Sequence, residues 1–501
     1  MYDPLHETET RADFIDEGHL QKLLKTDAPT DQEFDHIMGS ARKAQGLSLE
    51  DVAHLLAVDN RDQLQEIFAA ASEIKERVYG KRIVIFAPLY ISNHCINGCR
   101  YCGYRMTSGI RRRRLSMEEV AEEVRVLEGM GHKRLALEAG EDPENCPLDY
   151  VLEVLETIYS VRQDQGAIRR VNVNIAATTV KEYQRLKAAG IGTYILFQET
   201  YHRDTYRRLH PQGPKSDFDW HALAMDRAME AGTDDVGIGA LFGLYDYRFE
   251  VLALIQHAHH LEEAWGVGPH TISVPRLRPA QGVTLDEFPH LVSDEDFRKT
   301  VAILRLAVPY TGMILSTRER PDFRDQVIAY GISQISAGSC TGVGAYREQV
   351  GQTEETEQTQ GTEQTQQTEQ TEQTEQTKQT KQAAGGILQF SVDDQRSTAE
   401  IIASLMDSGY IPSYCTACYR QGRTGERFMG LAKSGQIQNV CQPNALLTLA
   451  EYLVDYAPPA LARTGWDLID AELQEIPNER VRRETRRRIE EVRQGVRDLY
   501  F

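Results

Sequence analysis

Between residues 79 and 348 the chain alternates between two hydrophobic periods. Short, nearly continuous apolar runs are followed by longer stretches in which apolar residues return every three or four positions among Glu, Arg, Lys and Ala. The first pattern predicts buried strands and the second amphipathic helices, and their repetition predicts βα units around a parallel sheet. Eight strand runs can be read: "RIVIFAPLYI", "RLALEAG", "VNVNIAA", "TYILFQET", "DVGIGALFG", "HTISVPRLRP", "GMILSTRE" and "QISAGSCTG". Helical segments such as "SMEEVAEEVRVLEGMG", "TVKEYQRLKAAG" and "WHALAMDRAMEAG" lie between them, several ending in the Gly that closes a helix. Eight units predict an α/β fold of the (β/α)8 TIM type, which carries its chemistry on loops at the C-terminal ends of its strands.

The flanks read differently. Residues 1–78 form a helical segment, in which "SARKAQGLSLEDVAHLLAV" has the form of a capped helix pair covering the barrel from below or beside. Residues 349–386 hold a near three-residue repeat of Thr, Glu and Gln that buries too little apolar surface to offset its ordering entropy, so a disordered tether without catalytic role is expected. Residues 387–501 predict a mostly helical C-terminal domain ending in a charged helix with i,i+4 pairs.

Composition narrows the setting. A hydrophobic fraction of 41% over 501 residues supports a sizeable core. The net charge of −19 removes the electrostatic footprint of general nucleic-acid binding. With no run of about 18 apolar residues, no membrane span is expected. The acidic start "MYDPLHETETRADFIDEGHL" has neither the apolar core of a signal peptide nor the character of a transit peptide, so a cytoplasmic location is expected. Clustered cysteines in that compartment point to metal or redox chemistry in preference to disulfides.

Of eight cysteines, Cys95, Cys99 and Cys102 follow the first strand as C-x3-C-x2-C, and Cys415, Cys418 and Cys441 recur near the end as C-x2-C-x22-C. Soft thiolates in threes suit a cubane iron–sulfur cluster that leaves one iron open to another ligand. A zinc knuckle is the alternative for the first set, but it needs a fourth ligand, and His94 adjoins Cys95 too closely to close a tetrahedron. Cys146 and Cys340 match no ligand spacing and are expected to be buried or free thiols. Polar groups collect after strands two, four, six and seven: Glu141, Gln198, Glu199, Arg276, Arg278, Arg318 and Glu319.

The first cysteine loop, with Tyr101 before its last cysteine and "AGE" at 139–141, resembles the radical S-adenosylmethionine (SAM) superfamily. That resemblance implies a 4Fe–4S cluster whose open iron chelates SAM and whose electron releases a 5′-deoxyadenosyl radical. Glu141 would accept a hydrogen bond from the SAM amino group, with Tyr101 and Glu199 in the same site. Gly237 and Gly239 of "GIGALFG" would admit the adenosyl portion, unless they serve strand packing.

With the second cysteine set, and with "FQETYHRDTY", "GPHTISVPRLRPA" and "LSTRERPDFRD" at strand ends, nearly the whole chain resembles the HydG family of tyrosine lyases that mature FeFe-hydrogenase. The Thr/Glu/Gln repeat departs from that family's pattern. The resemblance implies two 4Fe–4S clusters, the C-terminal one carrying an extra labile iron bridged by free L-cysteine. It implies cleavage of L-tyrosine to p-cresol and dehydroglycine, then formation of CO and cyanide for an iron synthon of the hydrogenase H-cluster. Partners would be an electron donor such as ferredoxin or flavodoxin and other hydrogenase maturation factors.

Arg318 offers a permanent cation for the substrate carboxylate. Tyr90 and Ser336 would complete the pocket, or serve as a strand-end aromatic and a turn hydroxyl. His270 would hold the extra iron or be a satisfied structural histidine. Arg276 and Arg278 would hold carboxylates or form structural salt bridges, the former being expected of one of them. Two further functions fit parts of the pattern: a 2-iminoacetate synthase of thiamine thiazole biosynthesis, which has no use for the second cysteine set, and a non-enzymatic iron–sulfur scaffold, which has none for the barrel-end arginines.

Overall fold

In a computed structural model that describes residues 11–349 and 388–501, all eight predicted strand runs contain a strand. They are β1 (Arg82–Ser92), β2 (Arg134–Ala139), β3 (Arg170–Asn174), β4 (Tyr194–Ile195), β5 (Val236–Gly239), β6 (Thr271–Ser273), β7 (Gly312–Leu315) and β8 (Gln334–Ser336). Each is parallel to the next, and β1 pairs with both β8 and β2, which closes the barrel. Helices lie between the strands, and their starts follow from the sequence. Ser116 with Glu119, and Thr179 with Glu182, make reciprocal capping boxes that satisfy the free amides of Met117–Gly129 and Val180–Ala188.

The N-terminal helices flank the barrel. Arg61–Tyr79 packs along Asp294–Ala307, the helix between β6 and β7. The contact is fastened by Lys299, whose buried ammonium donates to the carbonyls of Leu56 (2.6 Å) and Val58 (2.5 Å).

Beyond the repeat, the chain returns to the barrel. Leu388 bridges Gly342, and β9 (Ile411–Ser413) pairs in parallel with Arg82–Val84. The helices Gln438–Asp455, Pro459–Gln474 and Glu479–Arg493 pack on one another, the first of them also against β9. The segment expected as a tether falls in residues 350–387, outside the described residues. No helix among the described residues is long and apolar enough to cross a membrane.

Strand direction then separates the two cysteine sets. Cys95 follows the last residue of β1, whereas Cys415 follows a strand paired with the first residues of β1. At about 3.3 Å per residue, the 11 residues of β1 put roughly the length of the barrel between them.

Candidate active site and a second cysteine centre

The C-terminal end of the barrel opens into a cavity of about 220 Å³ lined by Cys95, Cys99 and Cys102 on one side and by inward residues of the strands on the other. The cysteine loop is held by main-chain bonds: Ile96 N donates to Glu141 O (2.8 Å), Gly98 N to Gln212 O (3.0 Å) and Arg100 N to Leu209 O (3.0 Å). Gly140 must be glycine, because a Cβ there would lie 2.3 Å from His94 O and 3.0 Å from Cys95 Cβ. Burial raises all three thiols, Cys102 to about 11, so holding them as thiolates requires a bound cation. Among the described residues no three His, Cys, Asp or Glu side chains converge on a single ion. Three soft donors on a pinned loop beside a cavity therefore suit a cluster, in which each thiolate reaches its own iron, better than a zinc ion.

The SAM-site expectations meet in this cavity, with two exceptions. Glu141 Oε2 accepts from Asn97 Nδ2 (2.5 Å), and Glu199 Oε1 accepts from Lys215 Nζ (2.7 Å). Glu199 holds a left-handed φ of 69°, a conformation that non-glycine residues adopt mainly where surroundings impose it. Burial acts to lower the Lys215 ammonium, but Glu199 and Cys99 outweigh it and hold its pKa above the usual range. Tyr101 hydroxyl meets His210 Nε2 at 2.9 Å. Gly237 and Gly239 are not among the lining residues: a Cβ on Gly237 would meet Thr271 Oγ1 at 2.5 Å, and one on Gly239 would meet Phe197 at 2.7 Å. Their place in the fold is strand packing.

Tyr90, Arg318 and Ser336 line the same cavity. The Arg318 guanidinium lies 3.4 Å from the ring centroid of Phe390, and the Tyr90 hydroxyl donates to Gln389 Oε1 at 2.8 Å. Ser336 Oγ accepts from Thr317 N at 3.2 Å. Gln389 Nε2 also approaches Cys102 Sγ at 3.9 Å, so Gln389 and Phe390 link the cysteine loop to the wall formed by Tyr90 and Arg318. Sequence reading missed Gln389, Phe390, Lys215, Asn97, Glu138 and Asn174. For Gln389 and Phe390 no local signal existed, since pattern assigned them to a separate C-terminal domain. For Asn97 its place between Cys95 and Cys99 was a usable hint.

Arg276 and Arg278 do not present free cations for a ligand. Arg276 forms a fork with Glu319 and bonds Asp294 Oδ1 at 2.9 Å, and Arg278 pairs with Glu319 at 2.9 Å and Asp393 at 3.4 Å. Arg278 reaches the cavity wall and Arg276 does not, so the carboxylate-holding role expected of one of them is met by protein carboxylates. Cys146 and Cys340 are free thiols held up to about 12 by burial.

At the other end, Cys415 follows β9, Cys418 lies on the short helix Ala417–Arg420, and Cys441 sits in the first turn of Gln438–Asp455. The Cys418 thiol donates toward Cys441 sulfur, which holds the Cys418 proton and, with help from Arg82 and Arg423 and against burial, lowers Cys441; burial raises Cys415. Arg134 donates to Cys415 O at 3.2 Å and, with Arg170, lies over the Tyr419 ring. His270 directly precedes β6 and so belongs to this end. Its ring lies 4.6 Å from Phe428 and 6.2 Å from Tyr419, its Nδ1 is buried without a hydrogen-bond partner, and burial keeps it neutral. A neutral imidazole at the same end of the barrel as the three cysteines, with Asp235 Oδ1 3.9 Å from its Nδ1, is a donor of the kind iron accepts.

Residues 89–258 match the family model of the radical SAM superfamily, and residues 273–411 that of the Biotin and Thiamin Synthesis associated domain. Both matches end before Cys415. A crystal structure of HydG, a maturase of the FeFe-hydrogenase, is 54% identical and superposes with a TM-score of 0.89, covering 98% of this chain and 100% of that one. HydG from Carboxydothermus hydrogenoformans gives 40% identity and a TM-score of 0.76 over 94% of this chain and 96% of its own. The 2-iminoacetate synthase of Escherichia coli (strain K12) is 33% identical over 309 residues, 62% of this chain and 80% of that relative.

Proposed function

Because the chain belongs to the HydG family of radical SAM maturases of FeFe-hydrogenase, we propose that it cleaves L-tyrosine to p-cresol and dehydroglycine at the C-terminal end of its barrel and converts the two-carbon product to CO and cyanide at the other. Cys95, Cys99 and Cys102 would hold a 4Fe–4S cluster that, with SAM, supplies a carbon-centred radical in the cavity. Cys415, Cys418 and Cys441 would hold a second cluster, and His270 an extra iron bridged by free cysteine.

The chain's own residues do the rest. Arg318, steadied by the Phe390 face, receives the substrate carboxylate as a planar, permanently charged fork. Tyr90, fixed by Gln389, and Ser336 shape the wall beside it. Glu141 with Asn97, and Glu199 with Lys215, present acceptors to the amino and ribose groups of SAM. The closed ring of strands would surround a reactive fragment released inside it.

The observation that carries this reading is the second cysteine triad at the far end of the same barrel, with His270 packed on Phe428 and Tyr419 of the segment between Cys415 and Cys441. A 2-iminoacetate synthase would cleave tyrosine with the first site alone. Anaerobic reconstitution with iron and sulfide, a low-potential donor of the ferredoxin or flavodoxin class, SAM and tyrosine tests it. Wild type should form p-cresol, CO and cyanide, while the double variant Cys415→Ala/Cys418→Ala should keep p-cresol within about threefold and lose CO, its fragment appearing as glyoxylate. A wild type that yields p-cresol without CO favours the synthase. A double variant that still makes CO removes the role given to the second end.

A further inference from the structure

Three acidic side chains line the cavity, and one has no part in the roles above. Glu141 is tied to Asn97, and Glu199 to Lys215, whose own main-chain amide donates to Asn97 Oδ1 at 2.9 Å. Both thus belong to the framework of the cysteine loop. Glu138 does not. It points inward from β2 and accepts from Asn174 Nδ2 on β3 at 2.8 Å. It stands two residues before Gly140, the residue pressed against His94 and Cys95, and so about 6.6 Å further down the barrel at ~3.3 Å per residue. The charged and titratable groups facing it are Arg318 beyond β7, Glu199 beyond β4, Tyr90 on β1 and Tyr104.

We propose that Glu138, oriented by Asn174, is the general base that takes the phenolic proton of the substrate. The inference rests on the tyrosine-lyase reading. An amino acid held by Arg318, with its amino group toward the cluster end, directs its phenol into the barrel interior, where Glu138 and Asn174 form the polar pair. In the step the phenol O–H bond breaks with its electron pair left on oxygen, and a new O–H bond forms on a Glu138 carboxylate oxygen; nothing is oxidised or reduced. Burial raises Glu138 to about 8, against the pull of Asn174 and Arg318. That brings the base close to the ordinary phenol value of about 10, where proton transfer is most effective. Since the ionised form is the base, turnover should rise with pH as Glu138 loses its proton.

The reconstituted holoenzyme is assayed for p-cresol, or its fluorinated counterpart, from tyrosine and from the more acidic difluorotyrosine between about pH 6 and 9. Glu138→Gln should lower kcat/KM for tyrosine by about 100-fold or more, lose the rising limb of the pH profile, and recover most of its activity with difluorotyrosine. A loss under about threefold, or an equal loss with both substrates, overturns the proposal. Nitrotyrosine added without reductant gives a second readout: because its phenol and Glu138 would share one proton and titrate as a pair, its phenolate titration should differ between wild type and Glu138→Gln, and identical titrations count against the base. Should Glu138→Gln not fold, Asn174→Ala removes the donor that lowers Glu138 and should move the rising limb to higher pH; an unmoved limb overturns the assignment. A wild type that makes no p-cresol would instead sink the tyrosine-lyase reading itself.

Discussion

The two ends of the barrel carry the same number of cysteines among different charged neighbours. At the C-terminal end the thiols are buried beside three glutamates, with Lys215 and Arg318 as cations, and burial holds every thiol proton more tightly than usual. At the N-terminal end Arg82, Arg134 and Arg423 lie near the sulfurs; burial raises Cys415 and the bond to Cys441 raises Cys418, while Cys441 is lowered by that bond and by Arg82 and Arg423. The difference fits the proposed division of labour: SAM would bring a sulfonium and an amino group to carboxylate acceptors, whereas a cluster handling cyanide would gather negative charge among arginines. The cations at the second end come from the first residues of strands, Arg82, Arg134 and Arg170, a part of the barrel more often given over to stability.

The sharpest way to break this division is to empty the first end. Cys99→Ala should abolish 5′-deoxyadenosine formation, at least about 1,000-fold below wild type, because the electron source is lost, while iron bound through Cys415, Cys418 and Cys441 persists. SAM cleavage in that variant would contradict the assignment. Next in size, Phe390→Leu should raise KM for tyrosine by about three- to thirtyfold, the worth of a desolvated cation–π contact, with kcat and SAM binding little changed. A change in kcat alone would place Phe390 outside carboxylate binding.

At the second end, Arg423→Gln should slow CO release by about threefold to tenfold while p-cresol stays at the wild-type level, since one of the two cations favouring the Cys441 thiolate is removed. Equal loss of both products would show that the ends are not independent. The smallest effect is expected from deleting residues 352–382: p-cresol formation should stay within about twofold, because loop length changes closure entropy only logarithmically. A collapse of activity in the soluble deletion variant would tie the repeat to Gln389 and Phe390, which follow it.

How much was legible depends on the kind of contact. Periodicity suffices for the barrel, since each strand run and each capped helix is a local choice that agrees with its neighbours. The cysteine spacings are legible for the same reason: Cys95, Cys99 and Cys102 share one loop, and so do Cys415 and Cys418. Gly237 and Gly239 show the limit of such reading. Glycine in a strand is visible, but whether its open side faces a ligand or Phe197 and Thr271 depends on which strand lies alongside.

What the sequence by itself determined is thus the eight-unit barrel and the spacing of two sets of candidate ligands, because propensity, hydrophobic period and cysteine spacing act over a few residues. Tertiary structure alone decided the rest. Pairing of β9 with the first residues of β1 sent the second cysteine set to the opposite end of the barrel. Return of the chain after the repeat put Gln389 on Tyr90 and Phe390 under Arg318, across separations of 299 residues for the first pair. Closure of β2 beside β3 set Glu138 against Asn174 inside the cavity. Such contacts follow from chain closure and burial, whose energies are settled only when distant segments meet.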